Sequence, residues 1–225
     1  MPVSFSSMVE NARPRRRYDA RLRTQRAALT RERILETAHR VFLERGYVGA
    51  TIPSIATQAS VAVETVYRAA PGKAGLLAAV VDAALAGGSE NAALPVEARP
   101  GIRRVIEEGD PVRKLQLYAA TQPGVYARAA GILRVLDEAA PSTPELADLR
   151  EGYAERRLAG MRQLSSHLAD RGALRAALSP ERAADILVTV CARANYDSLV
   201  TERGWSPTAY RKWLADTLVR TLLDL

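Results

Sequence analysis

Residues 50–73 read ATIPSIATQASVAVETVYRAAPGK, and their spacing predicts a short helix, a tight turn and a second short helix. Thr51 is a good N-cap, and Pro53 falls in the first helical turn, where a missing N–H costs nothing. Ile52, Ile55, Ala56 and Ala59 then form an apolar face at helical spacing. Ala59-Ser60-Val61 makes the turn, with Val61 placed to point inward. The second helix is expected over residues 62–68, stopped by Pro71-Gly72. Its outer side carries Val63, Glu64, Thr65, Tyr67 and Arg68. Two helices joined this tightly form a helix-turn-helix, whose second helix fits the major groove of DNA. Periodicity by itself does not separate this arrangement from a helical hairpin in an unrelated α-domain.

The charge pattern around the stretch is uneven. The 225-residue chain has a net charge of +7, and residues 1–33 hold nine arginines against Glu10, Asp19 and Glu32. Residues 34–70 sum to zero, so the positive charge is concentrated just upstream of the helix pair. Such a block suits phosphate contact, in which each neutralised phosphate releases counterions. Arg16 and Arg17 are the candidates here, on an arm (residues 1–27) expected to be basic and flexible.

Helix is expected throughout. Ala, Leu, Arg and Glu dominate and aromatics are only 5% of residues, which favours helix over sheet. A first helix is expected over residues 30–45, with Ile34, Ala38, Val41 and Phe42 inward and Gly46 as its stop. A fourth, over residues 73–86, is the natural rod from the helix pair to the rest. Gly87-Gly88-Ser89 ends it, and the segment to Pro100 reads as a linker. Beyond it come a short helix (102–107) and a longer one from Pro111 that Pro123 is expected to break or kink. Next is a helix from Thr143-Pro144 to about Asp170, with Leu146, Leu149, Tyr153, Met161, Leu164 and Leu168 on one stripe. Ser179-Pro180 and Ser206-Pro207 start the last two by the same N-cap-then-Pro device. In the final one Leu214, Leu218, Leu222 and Leu225 recur at helical spacing.

These residues resemble the tetracycline-repressor (TetR) family of bacterial transcriptional regulators. The resemblance begins at TRERILETAHRVFLERGYVGATIPSIA, from Thr30, and continues through SVAVETVYRAAPGKAGLL. It lies in Val61-x-x-x-Thr65-Val66-Tyr67, then Pro71-x-Lys73, then Leu, over about sixty residues. The rest is similar more loosely, in its helical pattern and in the ERGWSP…WLADTL ending. Two positions depart from the family: Ala62 stands where a capping residue is usual, and Ala70 where an aromatic is usual.

The resemblance implies an all-α fold. An N-terminal three-helix helix-turn-helix DNA-binding domain (residues 28–86, motif 51–70) precedes a larger helical bundle (residues 87–225) for ligand sensing and dimerisation. It implies a homodimer on a palindromic operator, released by a small-molecule effector through the fourth helix, usually in repression. Tyr67 is expected to hydrogen-bond a phosphate, as the matching tyrosine commonly does in the family.

The remaining roles follow from residue chemistry. Thr51 and Lys73 stand at helix starts suited to phosphate, whereas Val63, Glu64 and Thr65 are candidates for base edges. Arg68 suits either guanine or phosphate. Residues 183–194 are apolar on more than one face, as a helix with two partners requires. Ile186, Leu187, Val190, Trp213, Leu214 and Leu218 are therefore candidates for a two-fold interface, which would set two recognition helices about one DNA turn (~34–36 Å) apart. Tyr118, Tyr126, Tyr153, Met161 and Asn195 lie on or beside apolar stripes and are candidates for an effector pocket.

An enzyme finds little support, since no nucleophile elbow, P-loop, dinucleotide fingerprint, zincin motif or paired cysteine occurs. No cofactor or metal site is expected; His39 and His167 are far apart in sequence, and Cys191 sits in an apolar run. A helical protein-binding adaptor would explain the apolar helices but not the arginine block beside the helix pair. The lone cysteine and the lack of an 18-residue apolar run fit a cytoplasmic protein with no membrane partner, and the resemblance implies a bacterial one, on the nucleoid when bound to DNA.

Overall fold

Gly46 sets the first corner of the chain. Its backbone (φ 65°, ψ 179°) leaves the helical region, so helix α1 (Arg13–Gly49) bends there and the amide of Ala50 closes onto the Gly46 carbonyl at 3.3 Å. The computed structural model describes residues 13–224, with side chains from residue 22 onward. The expectations for residues 1–12 and for Leu225 lie outside the described residues, as do the side chains of Arg16 and Arg17. From Arg13 the basic stretch is not an arm but the first part of α1, which starts well before the expected residue 30. Ala, Leu and Arg, which fill this stretch, are strong helix formers.

Helix α2 (Ile52–Gln58) follows, then α3 (Val63–Ala69) and α4 (Gly72–Ala86). Gly87 at φ 80° ends α4, and the amides of Gly87 and Gly88 both reach the Ala83 carbonyl at 2.9 Å. The expected linker is partly structured, as one helical turn (α5, Ser89–Ala92) and a 3-10 turn over Val96–Ala98.

Helix α6 (Pro100–Glu107) leads into α7 (Pro111–Ala139), whose first turn is capped by Asp110 Oδ1 accepting from the Arg113 amide at 2.7 Å. Pro123 does not break α7, contrary to one of the two outcomes expected for it: the 29-residue helix is continuous, with Pro123 buried inside it. Packing of this central helix along its length offsets the lost backbone bond.

Helix α8 (Pro144–Ala169) has Thr143 at its N-cap position, but the threonine side chain makes no capping bond. In α9 (Pro180–Val190) and α11 (Pro207–Leu222) the serine caps do form, Ser179 Oγ accepting from Arg182 and Ser206 Oγ from Ala209. The apolar run 183–194 is not one helix. It stops at Val190, and a turn (α10, Arg193–Tyr196) and a π-helical segment (Asp197–Glu202) follow.

Two hydrophobic cores result. The first joins Ile34, Phe42, Ile55 and Val66 with Leu76 and Val81 of α4, and it continues into Ile132 and Leu136 of α7 and Leu146 of α8. The second lies among α6, α7, α8, α9 and α11, around Leu115, Leu168, Leu187, Leu214 and Leu218. The stripe read along α8 divides between them: Leu146, Leu149 and Tyr153 pack on the first core, and Met161, Leu164 and Leu168 on the second. Among the described residues no strand occurs beyond an isolated bridge between Leu174 and Leu223. No single helix among them is long and apolar enough to cross a membrane.

A row of aromatic rings runs through the second core. Tyr126 lies 5.4 Å from Tyr196, Tyr196 meets Tyr210 edge-on at 5.3 Å, and Tyr210 lies 5.7 Å from Trp213. The Tyr126 hydroxyl donates to the Cys191 carbonyl at 2.5 Å, whereas the buried Tyr210 hydroxyl has no partner among the described residues. Burial raises the pKa of both phenols. Removing a satisfied hydroxyl loses a bond, and removing an unsatisfied one relieves a desolvation cost. Tyr126→Phe should therefore destabilise the chain by about 1 kcal/mol and Tyr210→Phe should leave stability unchanged or raise it by a similar amount. Chemical denaturation of the two variants tests the difference in sign.

Candidate DNA-binding face and effector pocket

The helix pair forms as its residues dictate. The Ser54 amide donates to Thr51 Oγ1 at 3.2 Å, and Ser54 Oγ donates to the Thr51 carbonyl at 2.9 Å. Thr51 itself is exposed, at a helix start. The turn closes through Ser60 (φ 53°), with the Val61 amide donating to the Ala56 carbonyl at 3.0 Å. Val61 packs partly buried on the first core, as its position predicts.

Helix α3 is held from beneath by Val66, which is fully buried. Glu64, Tyr67 and Arg68 are exposed on its outer side, Tyr67 by 55%, a large exposure for an aromatic ring. Glu64 lies in the first turn and Arg68 in the last, each at the helix end that favours its charge. Arg68 Nη2 donates to Thr65 Oγ1 at 3.0 Å, so these two candidates form one unit rather than two independent readers. Val63 is half-buried against the first core, which leaves only part of it for a thymine methyl. Ala62 makes no side-chain cap, and Ala70, small where an aromatic is usual, is buried.

Lys73 is placed differently from the sequence expectation. Its Nζ donates inward, to the carbonyls of Tyr47 at 2.9 Å and Ala50 at 3.2 Å, and lies 4.2 Å from the centre of the Tyr47 ring. Tyr47 in turn stacks on Phe42, ring centres 6.1 Å apart and 12° from parallel. The ammonium thus straps the start of α4 to the corner after α1, and a phosphate role is not what its geometry shows. Tyr47 was not singled out by the sequence; that its carbonyl and ring meet an inward-facing lysine is visible only in space.

The second half contains a pocket of about 200 Å³ between α6, α7 and α8. Two of the five candidates line it, Tyr118 and Met161. The other three have structural partners instead. Tyr126 is tied to the Cys191 carbonyl, and Asn195 Nδ2 donates to the carbonyls of Thr189 and Val190 at 3.0 Å, closing the end of α9. The Tyr153 hydroxyl shares its one proton between Asp82 Oδ1 at 2.9 Å and the Ala78 carbonyl at 3.1 Å, joining α8 to α4. Burial raises the pKa of Tyr118 and pushes the Cys191 thiol up to about 12, so the cysteine is a neutral core group.

Lys114, Arg156 and Arg157 also line the pocket and were missed in the sequence. The available signal was Lys114 itself, four residues before Tyr118 on the apolar side of α7. Of the six dimer candidates, Leu187, Leu214 and Leu218 are fully buried in this chain's own core and present no surface to a second copy; Ile186, Val190 and Trp213 remain partly exposed.

Residues 34–80 match the model of bacterial regulatory proteins of the tetR family. The matched span takes in the helix pair, from the inward-facing part of α1 to the middle of α4. The fold is shared with solved regulator structures at low identity. NalD of Pseudomonas aeruginosa, the secondary repressor of the MexAB-OprM multidrug efflux pump, is 23% identical with a TM-score of 0.65, over 86% of this chain and 96% of that one. FadR of Bacillus subtilis, solved with stearoyl-CoA, is 17% identical with a TM-score of 0.66, over 83% and 96%. A regulator from Saccharomonospora viridis, solved with choline, is 20% identical with a TM-score of 0.65, over 87% and 98%. No curated protein matches the sequence. A tetR-type helix-turn-helix with an exposed second helix gives the outward residues of α3 their context.

The geometry separates two kinds of substitution. Lys73→Met should lower stability by about 1–3 kcal/mol in the absence of DNA, because two carbonyls lose a charged donor. Tyr67→Phe should leave the melting temperature unchanged and weaken binding to specific and random DNA alike. Thr65→Ala should shift base preference, since it also frees Arg68. Thermal melts beside binding titrations on matched and scrambled duplexes distinguish the three.

Proposed function

We propose that this chain is a homodimeric transcriptional regulator that binds a palindromic operator through α3 and is released from it by a small molecule held in the second half. The observation that carries the reading is the α3 surface: a tetR-type module with Val66 buried beneath and Glu64, Tyr67 and Arg68 exposed together. Thr51 supports it as a phosphate donor at the start of α2, and Arg16 and Arg17, in the basic first part of α1, as further phosphate contacts. Repression, the usual mode in the family, is the reading adopted for its action on transcription.

Dimerisation is assigned to the α9 and α11 side, where Ile186, Val190 and Trp213 keep apolar area that this chain's own core does not cover. A two-fold pairing there is supported by the need to set two α3 helices about one DNA turn (~34–36 Å) apart.

Release requires that the effector prefer a shape in which α3 is displaced. The connection favoured by the geometry is α8. It carries Arg156 and Met161 on the pocket and Tyr153 on α4, with the Arg156 guanidinium 4.4 Å from the centre of the Tyr153 ring. Helix α4 begins three residues after α3 ends, so a shift of α4 moves the recognition helix directly.

Binding of the purified protein to DNA flanking its own gene tests the reading. A dimer that binds this duplex more tightly than a scrambled one, with affinity falling steeply as salt rises, is the expected result. Equal binding to both at every salt concentration overturns sequence-specific recognition and favours a helical adaptor. Tyr153→Phe should keep operator affinity within about fivefold of the parent, as loss of one hydrogen bond allows, while reducing the response to any small molecule that releases the parent protein.

A further inference from the structure

The pocket's charge identifies a class of ligand. Most of its wall is apolar, from Ile102, Val105 and Ile106 on one side to Met161 and Leu164 on the other. Set into that wall are three cations, Lys114, Arg156 and Arg157, against one acid, Glu97. None of the three pairs with a carboxylate within 4 Å among the described residues, although eight other ion pairs form there. Lys114 is only 2% exposed, and its Nζ is held by carbonyls alone, Val105 at 2.7 Å and Ile106 at 3.1 Å. Two of its three N–H donors are used, which leaves one. Arg157 is held in the same way, by the carbonyls of Val188 at 2.8 Å and Cys191 at 2.6 Å.

A buried ammonium without an anionic partner is costly, and burial together with nearby Arg171 pulls the Lys114 pKa below the ordinary lysine value, against the opposing pull of Glu108. An anion arriving with an apolar body would remove that cost and bury its own hydrocarbon at the same time. We propose that the effector is a small organic acid, its carboxylate at Lys114 and Arg156 and its hydrocarbon part against α6 and α8. The proposal rests on the sensing reading given above, and names the chemistry of that site.

The test uses the full chain and matched probes: hexanoate with hexanamide, phenylacetate with phenylacetamide, and hexyltrimethylammonium as the opposite charge. Calorimetric titration should show at least one acid binding about tenfold or more tightly than its amide, the difference between a charge-assisted bond and a neutral one, with no binding of the ammonium probe. Lys114→Met should abolish the preference for acid over amide. Because that lysine also holds the end of α6, Arg156→Met, at an exposed position, is the second variant and should reduce the same preference without loss of fold. Gly160→Phe, placed where a side chain meets open space at the pocket, should weaken all probes together.

Equal affinity for acid and amide in the parent protein, tighter binding of the ammonium probe, or an acid preference unchanged in both cation variants would overturn the proposal. Operator binding measured on the same preparations separates the two readings. Specific DNA binding with no acid preference defeats the ligand class and leaves the regulator standing. Acid preference without specific DNA binding does the reverse.

Discussion

The DNA-facing helices depend on apolar contact that they cannot supply themselves. Helices α2 and α3 are seven residues each, far below the length at which a helix is stable in water. Their inward residues, Ile55 and Val66, are fully buried in a core that they share with α1 and α4, and α4 is in turn covered by Ile132 and Leu136 of α7. The recognition surface is thus the outer skin of a core that extends into the second half of the chain. Its position is set by α4 and α7 as much as by the turn at Ser60.

That shared core explains why α8 matters. A single 26-residue helix packs Leu146 and Tyr153 on the first core and Met161 and Leu168 on the second, so neither core can shift along α8 without the other feeling it. Polar contacts reinforce the apolar ones at the crossing. Tyr153 binds Asp82 and the Ala78 carbonyl of α4, and Arg128 Nε of α7 donates to the Ala84 carbonyl at 3.1 Å. These are directional bonds between helices otherwise joined by side-chain packing, and they define which part of α4 moves with which neighbour. Close packing favours discrete rearrangement over gradual deformation, which is the property a switch needs.

The local rules of the sequence were sufficient where one element decides the outcome. Thr51, Ser179 and Ser206 cap the helices they were expected to cap, Gly87 ends α4, Gly46 bends α1 where a stop was expected, and Ile34, Ala38, Val41 and Phe42 all face inward. They were insufficient where two elements compete for a side chain. Lys73 is at a helix start, a position that suits phosphate, yet the Tyr47 and Ala50 carbonyls on another segment capture it. Leu214 and Leu218 form the regular stripe that could serve either a core or a dimer, and burial assigns them to the core. Tyr126, Tyr153 and Asn195 had the right polarity for a pocket, but Tyr126 and Tyr153 found a carbonyl or carboxylate far along the chain, and Asn195 the carbonyls at the end of the preceding α9. Pro123 was judged by the backbone bond it removes, without the packing along α7 that keeps the helix continuous.

The missed pocket cations show why function and stability are hard to separate here. Lys114 and Arg157 are helix-end caps as well as pocket walls: one holds the last carbonyls of α6 and the other those of α9. Cations at helix C-termini are favourable in themselves, so the sequence of α7 and α8 needs no ligand to justify them. Both also line the cavity. In the proposal an anion takes the donor that Lys114 has left, on the same ammonium that holds the end of α6, and so its binding is tied to the placement of that helix. Because α6 packs on α7, and α7 covers α4, the structure that binds the anion is continuous with the structure that positions α3. Under the proposed reading, the differential affinity for two shapes that any ligand-driven release requires would arise from where Lys114 is anchored rather than from the size of the pocket.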